Sequence, residues 1–385
     1  MRSVLTILAI WCAGLGAAAQ FGKMSVAFPA LEGIYQDYGS VGAGLLVSIV
    51  GIVGLIFGTT AGLLVARVGA RRAILSALVL GAAVSLVESV FPPWPVMMLA
   101  RVLEGASHLA IVVVGPVAIA AAAPPARQAA AMTLWSSFFG LTYAVLFWIG
   151  PRILLDHGPA PLFWGHAIWL LACAAVLAGL MPRDPRHEVG AVGNLLHQHV
   201  AIYASPFVAA PATGFVCYTI TYVAVLTLLP GLASPDWGGF IGVAMPLVSI
   251  GVSLTAGVWL LGRIPAWRLV QAGFAAAVLA ALGLWLTWGS GLAEAGFALA
   301  MGAALGIVQG ASFATIPQLN PDPKDRARAA GAIAQLGNLG TTTGTPLLAF
   351  LTERAGASGL ALFVLVFSGL GIAVHAVQAR RRANA

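Results

Sequence analysis

Apolar residues run along this chain in long stretches that short polar segments separate, and this pattern predicts membrane helices. Crossing a bilayer takes ~20 apolar residues in a helix, because lipid offers no partner to unpaired backbone groups. Twelve stretches meet this requirement, at about 4–31, 41–66, 73–91, 95–121, 128–153, 161–181, 201–229, 238–261, 267–288, 291–316, 328–351 and 357–378. We therefore expect an all-α integral membrane protein with twelve transmembrane helices and almost no soluble domain.

Composition supports this prediction. Hydrophobic residues make up 60% of the 385 residues and charged residues only 8%, which is too few charges for the wet surface of a soluble protein. The first twenty residues resemble a signal peptide, with Arg2 followed by an apolar run and Ala17–Ala19. The apolar run continues to Leu31, so we interpret it as an uncleaved first helix.

The net charge of +7 is distributed as in a membrane protein, and we do not interpret it as a sign of nucleic-acid binding. Fifteen of the nineteen Lys and Arg residues lie at the termini or in the even-numbered loops, while the odd-numbered loops are mainly acidic. Cytoplasmic loops carry the excess of basic residues in membrane proteins. The pattern predicts a multi-pass protein of the bacterial cytoplasmic (inner) membrane with both termini cytoplasmic.

Two motifs occur twice, about half a chain apart. The basic turn at Gly62–Arg72 returns in a fainter form at Arg263–Arg268, and Glu104–His108 matches Gln309–Phe313 through a shared Gly-Ala-Ser. Both repeats fall between or within corresponding stretches, which indicates a duplicated architecture. The predicted divisions are an N-terminal six-helix bundle, a cytoplasmic linker and a C-terminal six-helix bundle, at residues 1–181, 182–200 and 201–385.

Glycine spacing predicts close helix packing in the tenth stretch. Gly302, Gly306 and Gly310 recur at four-residue steps, which places them along one ridge of a helix. Small residues in such a ridge let helix backbones approach closely, and packing is the favoured interpretation of this pattern over solute binding.

The first basic turn resembles the loop signature of the major facilitator superfamily, a Gly-x-x-x-Asp-Arg-x-Gly-Arg-Arg pattern between the second and third helices. The residues that carry the resemblance are Gly62, Arg67, Gly69, Arg71 and Arg72. The resemblance implies two pseudo-symmetric six-helix halves that carry a small solute by alternating access. One departure stands out, because Ala66 replaces the Asp that in the family forms an acidic latch.

Ionisable residues within apolar stretches are costly and usually functional. Arg101, Glu104 and His108 of the fourth stretch share one helix face, and Arg101–Gly105 resembles the family's Arg-x-x-x-Gly signature, which implies a buried polar network linked to proton coupling. Our hypothesis is that Glu104 carries the coupling proton, with Arg101 adjusting its acidity and His108 acting as relay or ligand. The alternative is a structural ion pair between Arg101 and Glu104.

The first stretch contributes Gln20 and Lys23. Gln20 occupies a position where many proton-driven drug exporters of the family have Asp, so standard drug–proton antiport is not favoured. In an accessible cavity Lys23 favours a solute with negative charge or carbonyl acceptors; the alternative is that Lys23 reaches to the membrane interface. Glu88 and Glu294 lie near the outer ends of their stretches, where we expect them to be hydrated.

Aromatic and amide side chains in several stretches suit an organic solute with flat apolar parts better than an inorganic ion. Packing or a place in the interfacial belt is the alternative for each. These softer candidates are Trp135, Tyr143, Tyr218, Tyr222, Gln309 and Asn338.

The sequence favours a secondary transporter for a small organic solute, with coupling to protons. It contains no phosphate-binding loop and none of the common hydrolase or metal motifs, so we expect neither an enzyme nor a bound metal or cofactor. A monomer in the lipid bilayer is expected. The alternative function is a non-transporting membrane sensor or assembly factor of the same ancestry.

Overall fold

The computed structural model describes residues 2–124, 127–183 and 195–384, and these residues are overwhelmingly helical. The described helices are α1 (Arg2–Val26), α2 (Phe28–Ile34), α3 (Gly39–Ser48), α4 (Gly51–Phe57), α5 (Ala61–Val68), α6 (Ala70–Glu88), α7 (Trp94–Ala122), α8 (Gln128–Ser136), α9 (Phe138–His157), α10 (Ala160–Leu180), α11 (Leu195–Ala204), α12 (Ala210–Leu232), α13 (Pro235–Val252), α14 (Val258–Leu261), α15 (Ala266–Leu286), α16 (Leu292–Leu319) and α17 (Pro323–Ala383). The predicted all-α membrane fold is confirmed.

The number of spans is less simple than the sequence pattern suggests. In the described part of the chain, ten helices are long and apolar enough to cross a membrane, or eleven if the bent pair 36–48 and 51–57 is one span. The 61-residue α17 consists of two helices joined at Gly356, whose φ of 50° suits a residue without a Cβ. Both the eleventh and the twelfth predicted stretches lie in α17, and the count of twelve stays a prediction.

Contacts between Cα atoms divide the chain into two compact units. Unit 1 comprises residues 1–37 and 49–192, and unit 2 comprises residues 38–48 and 193–385. In unit 1, α6 packs against α7 and α10, and α1 packs against α7, α9 and α10. In unit 2, α12 and α3 both pack along α17, and α15 packs against α16 and α17. The divisions at 181 and 201 stay a prediction, and most of the linker lies outside the described residues.

Glycines allow close packing at corresponding places in the two units. A Cβ at Gly105 of α7 would collide with the Val50 carbonyl oxygen, and one at Gly310 of α16 would lie 2.6 Å from Ser253 Oγ. Ser253 begins a five-residue π-helix, Ser253–Gly257, that interrupts the eighth predicted stretch. A Cβ at Gly306 would collide with the Ser249 carbonyl oxygen, so the predicted packing role of the glycine ridge is confirmed.

Candidate functional site

Unit 1 contains a cluster of four charged side chains in its interior, which we call the charge cluster. Lys23 lies on α1, and Glu88 is the last residue of α6. Arg101 and Glu104 lie on successive turns of α7. Each of the four is 0% exposed. The three-residue spacing on α7 places Arg101 and Glu104 on one face, as predicted, and α1 and α6 supply the other two charges.

Each carboxylate of the charge cluster contacts both cations. Lys23 Nζ lies 2.6 Å from Glu88 Oε2 and 2.6 Å from Glu104 Oε1. Arg101 Nη1 donates to Glu104 Oε2 and lies 3.4 Å from Glu88 Oε1. Two positive and two negative groups give a formal charge of zero. A closed network of this kind satisfies charges that would be very costly in lipid if any one of them were left alone.

His166 of α10 also contacts the charge cluster, although no sequence motif singles it out. Its Nδ1 lies 3.2 Å from Lys23 Nζ and 3.8 Å from Glu104 Oε1. Its Nε2 lies 2.9 Å from the Gly16 carbonyl oxygen and therefore carries the proton that it donates there. In the neutral ring Nδ1 is then the acceptor for the Lys23 ammonium. Ser85 of α6 accepts a further hydrogen bond from Lys23 at 2.8 Å.

Gln20 and His108 form a second polar group beside the charge cluster. His108 Nδ1 lies 3.1 Å from Gln20 Oε1, while Gln20 Nε2 donates to Ser107 Oγ at 3.0 Å. Arg101 Nη2 donates to the Gln20 carbonyl oxygen at 2.9 Å and links the two groups. The relay role of His108 stays a prediction, but it is the His166 ring that lies next to Glu104.

Two carboxylates are buried where hydration was expected. Glu88 and Glu294 were expected to be hydrated at the outer ends of their stretches, and both are 0% exposed. Glu88 is buried because Lys23 and Arg101 neutralise it. Glu294, in the first turn of α16, accepts hydrogen bonds from the backbone N–H and the hydroxyl of Ser234, the residue that precedes α13. The expectation of hydration is therefore wrong for both.

The aromatic candidates of unit 1 are mainly packed. Tyr143 stacks on Phe139 with ring centroids 5.0 Å apart, and its hydroxyl lies 3.0 Å from Ser25 Oγ. Trp135 belongs to the apolar core and fills the space over Gly14 and Gly115, where a Cβ would meet its ring. These contacts favour the packing interpretation for Trp135.

The candidates of unit 2 form no charged network among the described residues. Tyr218 and Tyr222 of α12 stack with centroids 5.1 Å apart and are buried. Gln309 of α16 and Asn338 of α17 are partly exposed. The Asn338 amide donates to the Ala334 carbonyl oxygen of its own helix at 2.7 Å. The candidate residues thus fall into a charged set in unit 1 and a neutral set in unit 2.

The basic turn, Gly62–Arg72, comprises most of α5, then Gly69, and the first residues of α6. Gly69 connects the two helices with a φ of 95°, a left-handed value that explains the glycine of the signature. Arg71 donates to the Ala178 carbonyl oxygen, near the end of α10, at 2.7 Å, while Arg67 and Arg72 are exposed. Gly62 lies within α5, but its surroundings and the Ala66 side chain lie outside the described residues.

Comparisons with known proteins agree with this architecture. A family model described as Major Facilitator Superfamily matches residues 10–334. The Inner membrane transport protein YajR of Escherichia coli (strain K12) is 24% identical over 189 residues, which cover 49% of this chain and only 41% of YajR.

Among solved structures, a bacterial homologue of the human lysosomal transporter Spinster, in an inward-facing and unoccupied conformation, has a TM-score of 0.76 at 14% identity. The alignment covers 98% of this chain and 97% of the Spinster homologue, and at this identity it shows the fold alone. Because the family model matches most of the chain, the protein belongs to the major facilitator superfamily.

Proposed function

We propose that this protein moves a small organic solute across the cytoplasmic (inner) membrane by alternating access, driven by protons, with both termini in the cytoplasm. Membership in a transporter family fits the expectation that the chain is not an enzyme. The expected orientation is supported by the basic residues near the termini and in the even-numbered loops. The name of YajR, an inner membrane transport protein, agrees with the proposed location.

The observation that carries the coupling proposal is the buried charge cluster. Glu104 contacts two cations, and the neutral His166 ring lies 3.8 Å from it. Glu104 is the proton-binding group in this proposal, because Arg101 keeps its proton at physiological pH and a carboxylate can give its proton up. The acceptor nitrogen of His166 offers a path by which a proton reaches or leaves Glu104. Glu88 serves as a fixed counter-charge to Lys23.

Solute flux in proteoliposomes under an imposed pH gradient tests this function. We expect Glu104→Gln to abolish the dependence of flux on the pH gradient, since glutamine cannot bind and release a proton. Exchange of solute between equal concentrations on both sides should persist in this variant, because exchange needs no net proton movement.

Glu88→Gln is the matched control, because it removes the other carboxylate of the same cluster. We expect this variant to keep the pH dependence, although at lower thermal stability. Undiminished pH-driven flux in Glu104→Gln, with folded protein in the membrane, would contradict the assignment of the proton to Glu104.

A further inference from the structure

The formal charge of the cluster restricts the kind of solute that a proton can accompany. Among the described residues, the charged and titratable groups that face Glu104 come from four helices and sum to zero when His166 is neutral. They are Lys23 of α1, Glu88 of α6, Arg101 of α7 and His166 of α10. His108 of α7 lies further off, bonded to Gln20.

Protonation of Glu104 breaks this balance. The proton comes from water on one side of the membrane and forms an O–H bond on the carboxylate, which leaves two cations and one anion in a fully buried site. An uncompensated buried charge is strongly destabilising. A monovalent anion restores the sum to zero, whereas a neutral solute leaves the excess charge and a cationic solute increases it. Proton binding and anion binding therefore favour each other.

Lys23 is the group best placed to receive the anion. Its ammonium has three N–H donors, and the nearest acceptors are the two carboxylates and Ser85 Oγ, at 2.6, 2.6 and 2.8 Å. A protonated Glu104 is a weaker acceptor, so the donor directed at Glu104 Oε1 becomes available to another oxyanion. Because Lys23 is 0% exposed here, the anion binds in a conformation where these partners have separated.

An aromatic ring near Lys23 indicates the rest of the solute. The ammonium lies 5.2 Å from the centroid of the Phe163 ring. A flat apolar surface next to a cation suits an aromatic carboxylate or sulfonate better than a small inorganic anion.

We propose that Lys23 binds a monovalent organic anion that enters together with one proton on Glu104, so that transport is electroneutral H⁺–anion symport. This proposal rests on the proton-coupled transport proposed above. On the far side the proton returns to water from Glu104, the anion leaves, and Lys23 regains both carboxylates.

Proteoliposomes that enclose a pH-sensitive dye test the proposal with two pairs of probes matched in shape. Each pair contains an anion and a neutral analogue: nicotinate with nicotinamide, and benzenesulfonate with benzenesulfonamide. We expect at least one external anion to acidify the lumen beyond the protein-free control, at a rate that a potassium–valinomycin potential does not change. Proton movement with the neutral analogues alone, or a rate that follows the potential, would overturn the proposal.

Variants at position 23 test whether Lys23 binds the anion. Lys23→Gln alone leaves an unbalanced carboxylate and is at risk of misfolding, so the informative variant is the charge-balanced Lys23→Gln/Glu104→Gln. We expect it to keep the thermal stability of the wild type while its affinity for the anion falls about 100-fold. The single variant Lys23→Arg keeps the positive charge and should therefore retain part of the wild-type affinity for the anion. Unchanged anion binding in the balanced double variant would overturn the assignment to Lys23.

The two proposals fail in different ways. If a pH gradient drives a neutral or cationic solute and Glu104→Gln abolishes this flux, proton coupling stands and the anion proposal is overturned. If no solute flux in a broad panel responds to pH, both proposals are contradicted.

Discussion

The helices α7 and α16 carry the same Gly-Ala-Ser segment but have different surroundings. In α7 the segment follows Glu104, which is held by buried cations, and in α16 it follows the neutral, partly exposed Gln309. At the place of Arg101, one turn earlier, α16 has Gly306, where the Ser249 backbone leaves no room even for a Cβ. One copy of the duplicated helix therefore keeps space for charges, and the other uses the same space for backbone packing.

The largest effect should come from unbalancing the charge cluster. Lys23→Met leaves Glu88 and Glu104 facing Arg101 alone, and we expect a loss of about 3–5 kcal/mol in the free energy of unfolding. The double variant Lys23→Met/Glu88→Gln restores neutrality and should recover most of that loss. Thermal unfolding in detergent measures both. Equal melting temperatures for the single and double variants would show that charge balance does not stabilise unit 1.

A smaller effect should come from the close approach in unit 2. Gly306→Ala forces a methyl group against the Ser249 carbonyl oxygen, which should cost about 1–3 kcal/mol. Gly296→Ala on the same helix is the control, because no atom lies within 4 Å of a Cβ there. The control should be neutral or stabilising by up to ~1 kcal/mol. Similar destabilisation by both substitutions would contradict a specific close approach at Gly306.

Two buried tyrosines also differ between the units, and the expected change in stability is smaller. The Tyr143 hydroxyl lies 3.0 Å from Ser25 Oγ in unit 1, whereas the Tyr218 hydroxyl has no partner among the described residues of unit 2. Tyr143→Phe should therefore cost about 1 kcal/mol, and Tyr218→Phe should be neutral or stabilising. Chemical denaturation of the two variants in one detergent makes the comparison. A greater loss for Tyr218→Phe would indicate that its hydroxyl has a partner.

The smallest effect on stability should come from Ala66, in the part of the basic turn that α5 contributes. Restoring the family's acidic residue with Ala66→Asp should favour one conformer and slow solute exchange about fivefold. Ala66→Asn, with a side chain of similar size but no charge, is the control. Exchange rates and the accessibility of cysteines introduced at the helix ends report the change. No difference between the two variants would contradict the latch.

The sequence was sufficient for much of the fold. The length of the apolar stretches predicted membrane helices, and the spacing of Gly302, Gly306 and Gly310 predicted a packing ridge. It placed a break between the eleventh and twelfth stretches, 328–351 and 357–378, and Gly356 joins the two helices of α17 within that break. It did not show the π-helix at 253–257, which depends on local hydrogen bonding.

The candidate site was predicted in part. The spacing of Arg101 and Glu104 within one helix places them together, and this pairing requires no tertiary information. Glu88 and His166 were missed as partners because their roles depend on how α6 and α10 are rotated against α1 and α7. A carboxylate at the very end of an apolar stretch was interpreted as hydrated. Lys23 was the better signal that Glu88 is buried. A lysine in a buried site needs a carboxylate to balance its charge, and its own helix supplies none.

The charge cluster also constrains how the protein is made. Lys23 lies in a helix that is synthesised before α6 and α7, and Glu104 follows 81 residues later. A single Lys at the centre of an isolated helix adds about 2.5–3.5 kcal/mol to the cost of insertion. Lys23 lies in the last turn of α1, so its cost should be below this value, and the acidic residues of α6 and α7 add costs of their own. We therefore expect each of these helices to insert into lipid less favourably alone than together with the others. Ribosomes that stall before α7 should leave α1 dependent on the insertion machinery, and release of that helix into the bilayer should coincide with the emergence of Glu104.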